Sequence, residues 1–111
     1  MEMILEHRPD GAVIVQPIGR LDLLSATAFK QKLGEIVDLG KARIIVDLAD
    51  VAFIDSLGLG ALVAGLKLAR SGGGDLRIAR PGDQAKLILE LTTLNRVMRP
   101  YATVDEALAG F

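Results

Sequence analysis

From Arg43 to Leu48 the chain reads Arg-Ile-Ile-Val-Asp-Leu, with three consecutive β-branched apolar residues. Such a run suits a strand covered on both faces of a parallel sheet, so this is the expected central strand. Nearer the N-terminus, Met3–Glu6 and Ala12–Gln16 flank Arg8-Pro9-Asp10-Gly11. Asp-Gly between two apolar runs predicts an antiparallel hairpin. After Arg20-Leu21-Asp22-Leu23-Leu24 the period lengthens, and Ala26, Phe29, Leu33, Ile36 and Val37 fall on one helix face. Ser25 is placed to cap that helix and Gly40 to close it. Further on, Asp75–Ala79 predicts a strand, Pro81 and Asp83 open a helix through Leu91, and Arg96–Met98 predicts a short last strand. Thr103-Val104-Asp105-Glu106 has the form of a capping box and starts a short C-terminal helix. The alternation predicts one α/β domain over residues 1–111, with a mixed, mostly parallel sheet and about four helices.

The other elements are arranged around Val51–Gly72. An apolar run ends at Asp55-Ser56, and a glycine-punctuated apolar segment follows, with its first charge at Lys67. This predicts a strand, a turn and a buried helix from about Ser56 to Ser71, with a hydroxyl at the helix start. Such a start offers unpaired N–H groups and partial positive charge to an anion. Gly58, Gly60 and Gly65 would cost the helix roughly 2 to 3 kcal/mol against alanine. Close approach of the backbone to the sheet or to a partner is the expected compensation.

Composition narrows the function classes. Thirteen basic and fourteen acidic residues among 111, with no basic block, lack the electrostatic footprint of a nucleic-acid binder. With no cysteine and only His7, neither a thiolate site nor a histidine cluster for a metal is expected, and no cofactor. The uncharged run Ser56–Leu66 falls short of the ~20 residues that span a bilayer. The N-terminal stretch does not read as a secretory signal, so membrane insertion is not expected and a cytoplasmic address is.

Two motifs suggest chemistry that their context does not support. Gly58-Leu59-Gly60 opens like a dinucleotide fingerprint, but Val63 stands where a small residue is needed. Ser56 as a catalytic nucleophile would need a base, and His7 lies in the first strand with no marked acid to orient it. No catalytic residue is expected. Ser56 either caps its helix or leaves that role to Asp55 and turns its hydroxyl to solvent. Asp22 is either a turn residue or an acid brought to the Ser56 loop. Lys67 and Arg70 read as a solvated rim.

Phe53-Ile54-Asp55-Ser56-Leu57-Gly58-Leu59-Gly60, preceded by Ile45-Val46-Asp47-Leu48, resembles the signature of the STAS domain in bacterial anti-sigma factor antagonists. Gly19-Arg20-Leu21-Asp22 is similar to that family's Gly-x-Leu-Asp turn. The resemblance covers essentially the whole chain. It implies a non-enzymatic regulator whose Ser56 is phosphorylated by an anti-sigma factor serine kinase and dephosphorylated by a serine phosphatase. It also implies a partner-binding surface of Asp22, Asp55, Ser56, Leu57, Gly58, Leu59 and Gly60. Leu57 is larger than the Ser, Thr or Ala common there. As an alternative, the resemblance also allows a scaffold or regulatory subunit of a transport or sensory complex in which Ser56 is never modified.

Overall fold

The computed structural model describes residues Met1–Phe111. Strands β1 (Glu2–His7) and β2 (Val13–Leu21) form the expected hairpin, antiparallel with Leu5 opposite Val15. Helix α1 (Ala26–Asp38) and strand β3 (Arg43–Asp47) follow. Next come β4 (Val51–Ile54), α2 (Ser56–Ser71), β5 (Asp75–Ala79) and α3 (Asp83–Leu91). The chain ends with β6 (Pro100–Tyr101) and α4 (Val104–Leu108). The sheet order is β1-β2-β3-β5-β6, and β4 pairs with the far end of β2. All pairs but the hairpin are parallel, and β3 is central.

Strand β2 is longer than the apolar run Ala12–Gln16, because it passes through Pro17 to Leu21. Proline is tolerated there because β2 pairs with β3 only at Val13–Val15 and meets β4 only from Gly19. The register shifts between Gly19 and Arg20, and Gly19 has a positive φ of 104°. That irregularity marks the change of partner and turns the end of β2 toward β4.

One face of the sheet carries the main core. Phe29, Leu33 and Ile36 of α1 and Leu59, Leu62 and Leu66 of α2 pack over Val13, Val15, Ile44, Val46, Leu76 and Ile78. On the other face α4 sets Ala107 against Ile14, Ile45 and Ala79. Arg77 fastens α4 there, donating to the carbonyls of Ala107 and Ala109 at 2.9 Å and stacking on Phe111. Ile44 to Leu48 is therefore buried throughout, which explains the apolar run Ile44–Val46, and the buried Asp47 that interrupts it is paired with Arg80.

Three local expectations need correction. The last strand is Pro100–Tyr101, and Leu94–Arg96 is a 3-10 turn, entered through Thr93 at a φ of 59°. Of the expected Arg96–Met98, Arg96 ends that turn, and Val97 and Met98 follow it with their amides donating back to the Leu94 carbonyl at 3.0 and 2.8 Å instead of to a strand. Ser25 stands at the cap position of α1 without a side-chain cap bond, because its hydroxyl is engaged elsewhere. The Thr103–Glu106 box is half-formed: Thr103 accepts from the Glu106 amide at 3.1 Å. No helix is long and apolar enough to cross a membrane.

Candidate functional site: the Asp55-Ser56 turn

Strand β4 ends with Ile54 buried, and Asp55 leaves the sheet in extended conformation as the cap of α2. Its Oδ1 accepts from the Gly58 amide at 2.8 Å, and its Oδ2 accepts from the Leu23 amide at 3.0 Å. Its own amide donates to the Leu21 carbonyl at 3.2 Å. Asp55 thus caps α2 and also ties it to the β2–α1 turn. Ser56 takes the first helical position, is exposed and has no part in the cap. Of the two arrangements open from sequence, the structure has the one in which aspartate caps and serine faces solvent.

Asp22 is a turn residue that lies beside this site. Its Oδ1 accepts from the Leu24 amide at 3.0 Å and its Oδ2 from Arg20 Nε at 3.2 Å. Partial burial pushes the Asp22 carboxyl up, but the Arg20 guanidinium and the Leu24 amide outweigh it and hold the group below its ordinary value. Arg20 is itself held over the Phe53 ring, 4.5 Å from its centroid. The link from this turn to Asp55 runs through the backbone of Leu23 rather than through the Asp22 carboxylate.

The glycines of α2 do different work. A Cβ on Gly58 would lie 2.0 Å from the Leu21 carbonyl oxygen, so only glycine lets α2 start against the end of β2. Gly65 makes the same allowance for Leu33 and Leu76. Gly60 does not pack closely: no atom lies within 4 Å of where its Cβ would be. It sits on the outer face, where its missing side chain leaves open a groove of about 330 Å³ between α1 and α2. Leu23, Ala26, Lys30, Ser56 and Leu57 line that groove.

The run Asp55–Gly60 is therefore split between two sides. Gly58 and Leu59 face inward, Leu59 being only 5% exposed, and they shape the turn from beneath. Ser56, Leu57 and Gly60 face outward. Beside them stand Leu23 and Leu24, 68% and 91% exposed, with Leu57 at 50%. Sequence reasoning missed these two leucines, although an adjacent Leu-Leu pair just ahead of a helix cap leaves at least one without a core position. It also missed Gln84, which reaches β4 from α3 and has no marking in its sequence context. Lys67 and Arg70 are exposed as expected, with Arg70 paired to Asp75 at 3.2 Å.

Comparison with known proteins agrees with this fold. The sequence profile described as the STAS domain matches residues 3–107. A Thermotoga maritima protein named as a candidate anti-sigma factor antagonist is 35% identical over 100 residues, covering 89% of this chain and 88% of its own. The anti-sigma-F factor antagonist RsfB of Mycobacterium tuberculosis is 28% identical over 102 residues, 91% of this chain and 82% of its own. A crystal structure of a candidate anti-sigma factor antagonist from Thermotoga maritima, 32% identical, superposes with a TM-score of 0.89 over 96% of this chain and 91% of that one. The fold, the Asp55-Ser56 turn and these matches together place the chain in the STAS domain family, among anti-sigma factor antagonists.

Proposed function

We propose that this chain antagonises an anti-sigma factor by partner switching, with Ser56 as the switch. The observation that carries the reading is the exposed Ser56 hydroxyl, freed because Asp55 caps α2, at the edge of an apolar surface formed by Leu23, Leu24 and Leu57. Unmodified, that surface docks on an anti-sigma factor that is also a serine kinase. The kinase transfers the γ-phosphoryl group of ATP to Ser56 Oγ; ADP leaves and the hydroxyl proton is released. The phosphoserine brings about −1.5 to −2 charges and three acceptor oxygens to this edge, next to the Asp55 carboxylate. Among the groove-lining residues Lys30 is the one cation. A docked partner would have to bury the remaining charge, and a loss of about 2.7 kcal/mol already lowers affinity a hundredfold. The partner is released, and a serine phosphatase resets the chain by hydrolysing the ester. The chain is then a substrate of enzymes, working by contact in the cytoplasm.

The test is a pull-down against the anti-sigma factor with and without ATP, with any phosphate mapped by mass spectrometry. Ser56→Ala binds in both conditions, Ser56→Glu binds weakly in both, and the parent chain is released as phosphate accumulates on Ser56. Leu57→Ala lowers affinity by ~1 to 2 kcal/mol without changing the melting temperature. Binding by all three Ser56 forms alike, with no phosphate on the chain, overturns the switch and leaves the scaffold or regulatory-subunit reading.

A further inference from the structure

Strand β4 has a neighbour on one side only, β2, and Ile54 is its last residue. On the open side the Ile54 peptide meets a side chain rather than a strand. Gln84 Nε2 donates to the Ile54 carbonyl at 2.8 Å, and Gln84 Oε1 accepts from the Ile54 amide at 2.9 Å. The amide offers both the donor and the acceptor that a paired strand would have supplied. Gln84 lies in the first turn of α3, and α3 is anchored in the core by Ala85 and Leu89. This clamp therefore joins a packed helix to the residue immediately before Asp55.

We propose that Gln84 is a positioning residue for the Ser56 turn, and that through its amide the modification state of Ser56 is passed to α3. The proposal rests on the reading of Ser56 as the modified residue. With Ile54 held on both edges, Asp55 is directed to the Gly58 and Leu23 amides, which keeps the Ser56 hydroxyl outside the cap. A phosphate on Ser56 sets like charge beside the Asp55 carboxylate. Asp55 relieves that repulsion by shifting its backbone, and the Ile54 peptide moves with it. Gln84 follows, because its two hydrogen bonds fix it to that peptide. The coupling is reciprocal, so whatever moves α3 also changes how Ser56 is presented.

The experiment uses ¹⁵N-labelled full chain with phosphoserine placed at position 56 during translation, compared with the unmodified chain by amide chemical shift and hydrogen exchange. In the parent sequence, phosphoserine shifts the amides of Ala85 to Leu89. In Gln84→Met those shifts fall to the level seen on β1, at the far edge of the sheet. Without phosphate, the same substitution speeds exchange at Ile54 and Gly58 by about tenfold, the equivalent of one lost hydrogen bond, and leaves Ile45 and Ile78 protected. If Gln84→Met does not fold, Gln84→Glu keeps the shape and removes the donor to the Ile54 carbonyl, and the same loss of transmission is expected. The proposal is overturned if α3 amides stay still on phosphorylation of the parent chain, or if they move equally without the Gln84 amide. Neither a kinase nor an anti-sigma factor takes part, so this outcome is independent of the pull-down that tests the switch.

Discussion

Two helices in this chain begin beside a serine and an aspartate, and the two pairs divide the work in opposite ways. At the start of α1 the serine is structural: Ser25 is 8% exposed, its Oγ donates to the Arg20 carbonyl at 2.6 Å and accepts from the Asp22 amide at 3.0 Å. At the start of α2 the aspartate is structural, and Ser56 is exposed. Both serines belong to the residue class favoured at helix starts, so local preference does not separate them. What separates them is where the bonds fall: the Ser25 hydroxyl is held by the Arg20 carbonyl and the Asp22 amide, whereas at α2 the Asp55 carboxylate takes the Gly58 amide. A serine is free to enter another protein's active site only where its hydroxyl is not held by its own fold.

The largest effect is expected from removing the group that frees Ser56. Asp55→Ala deletes the acceptor for the Gly58 and Leu23 amides, and hydrogen bonds to a charged group count for more than neutral ones. A loss of about 2 to 3 kcal/mol in urea unfolding is expected. A change below about 0.5 kcal/mol would show that Asp55 does not hold the turn.

Ser25→Ala comes next. It leaves the Arg20 carbonyl and the Asp22 amide without their partner at a buried position, so a loss of ~1 to 2 kcal/mol is expected in the same melts. Ser56→Ala is its counterpart and should stay within about 0.5 kcal/mol of the parent. The pair of substitutions sharpens the contrast more than either alone. If Ser56→Ala costs as much as Ser25→Ala, the Ser56 hydroxyl is part of the fold and the argument for a free, modifiable serine fails.

How far the sequence reveals this site follows from the range of each interaction. The β3 run, the Asp-Gly hairpin and the 3.6-residue period of α1 are local signals, and each reappears as an element close to its predicted bounds. The Asp55-Ser56 motif marks the turn, but the choice between the two caps depends on the Leu23 amide, 32 residues away in sequence. Gly60 shows the same limit from another side. Three glycines in one helix imply close backbone approach, yet which of them make it depends on how α2 lies on Leu21 and Leu33. Gln84 carries no local mark, because any glutamine in a first helical turn looks the same until the facing strand edge is in place. Pro17 lies just past the expected run Ala12–Gln16, and β2 continues through it because it falls where β2 changes neighbours.

The smallest effect concerns Asp22, the acid of the turn between β2 and α1. Asp22 belongs to the Ser25 turn, and its carboxyl lies below its ordinary value because Arg20 and the Leu24 amide outweigh partial burial. A native value below the unfolded one means that the unfolded chain binds more protons as pH falls, so stability drops with pH in that window. The Asp22 contribution is complete above the unfolded carboxylate value, about pH 4, and is lost as pH falls through the depressed native value. Asp22→Asn keeps an acceptor for Leu24 and removes the charge facing Arg20. Urea midpoints of the parent should therefore fall more steeply below about pH 4 than those of the variant. The other carboxylates are common to both chains and cancel in the difference. Arg20 is mostly exposed, so added salt should shrink the gap. Parallel acid limbs for the two chains would show that the Arg20–Asp22 pair does not stabilise the turn. The turn would then be held by the Ser25 hydroxyl and by the Leu23 amide on Asp55.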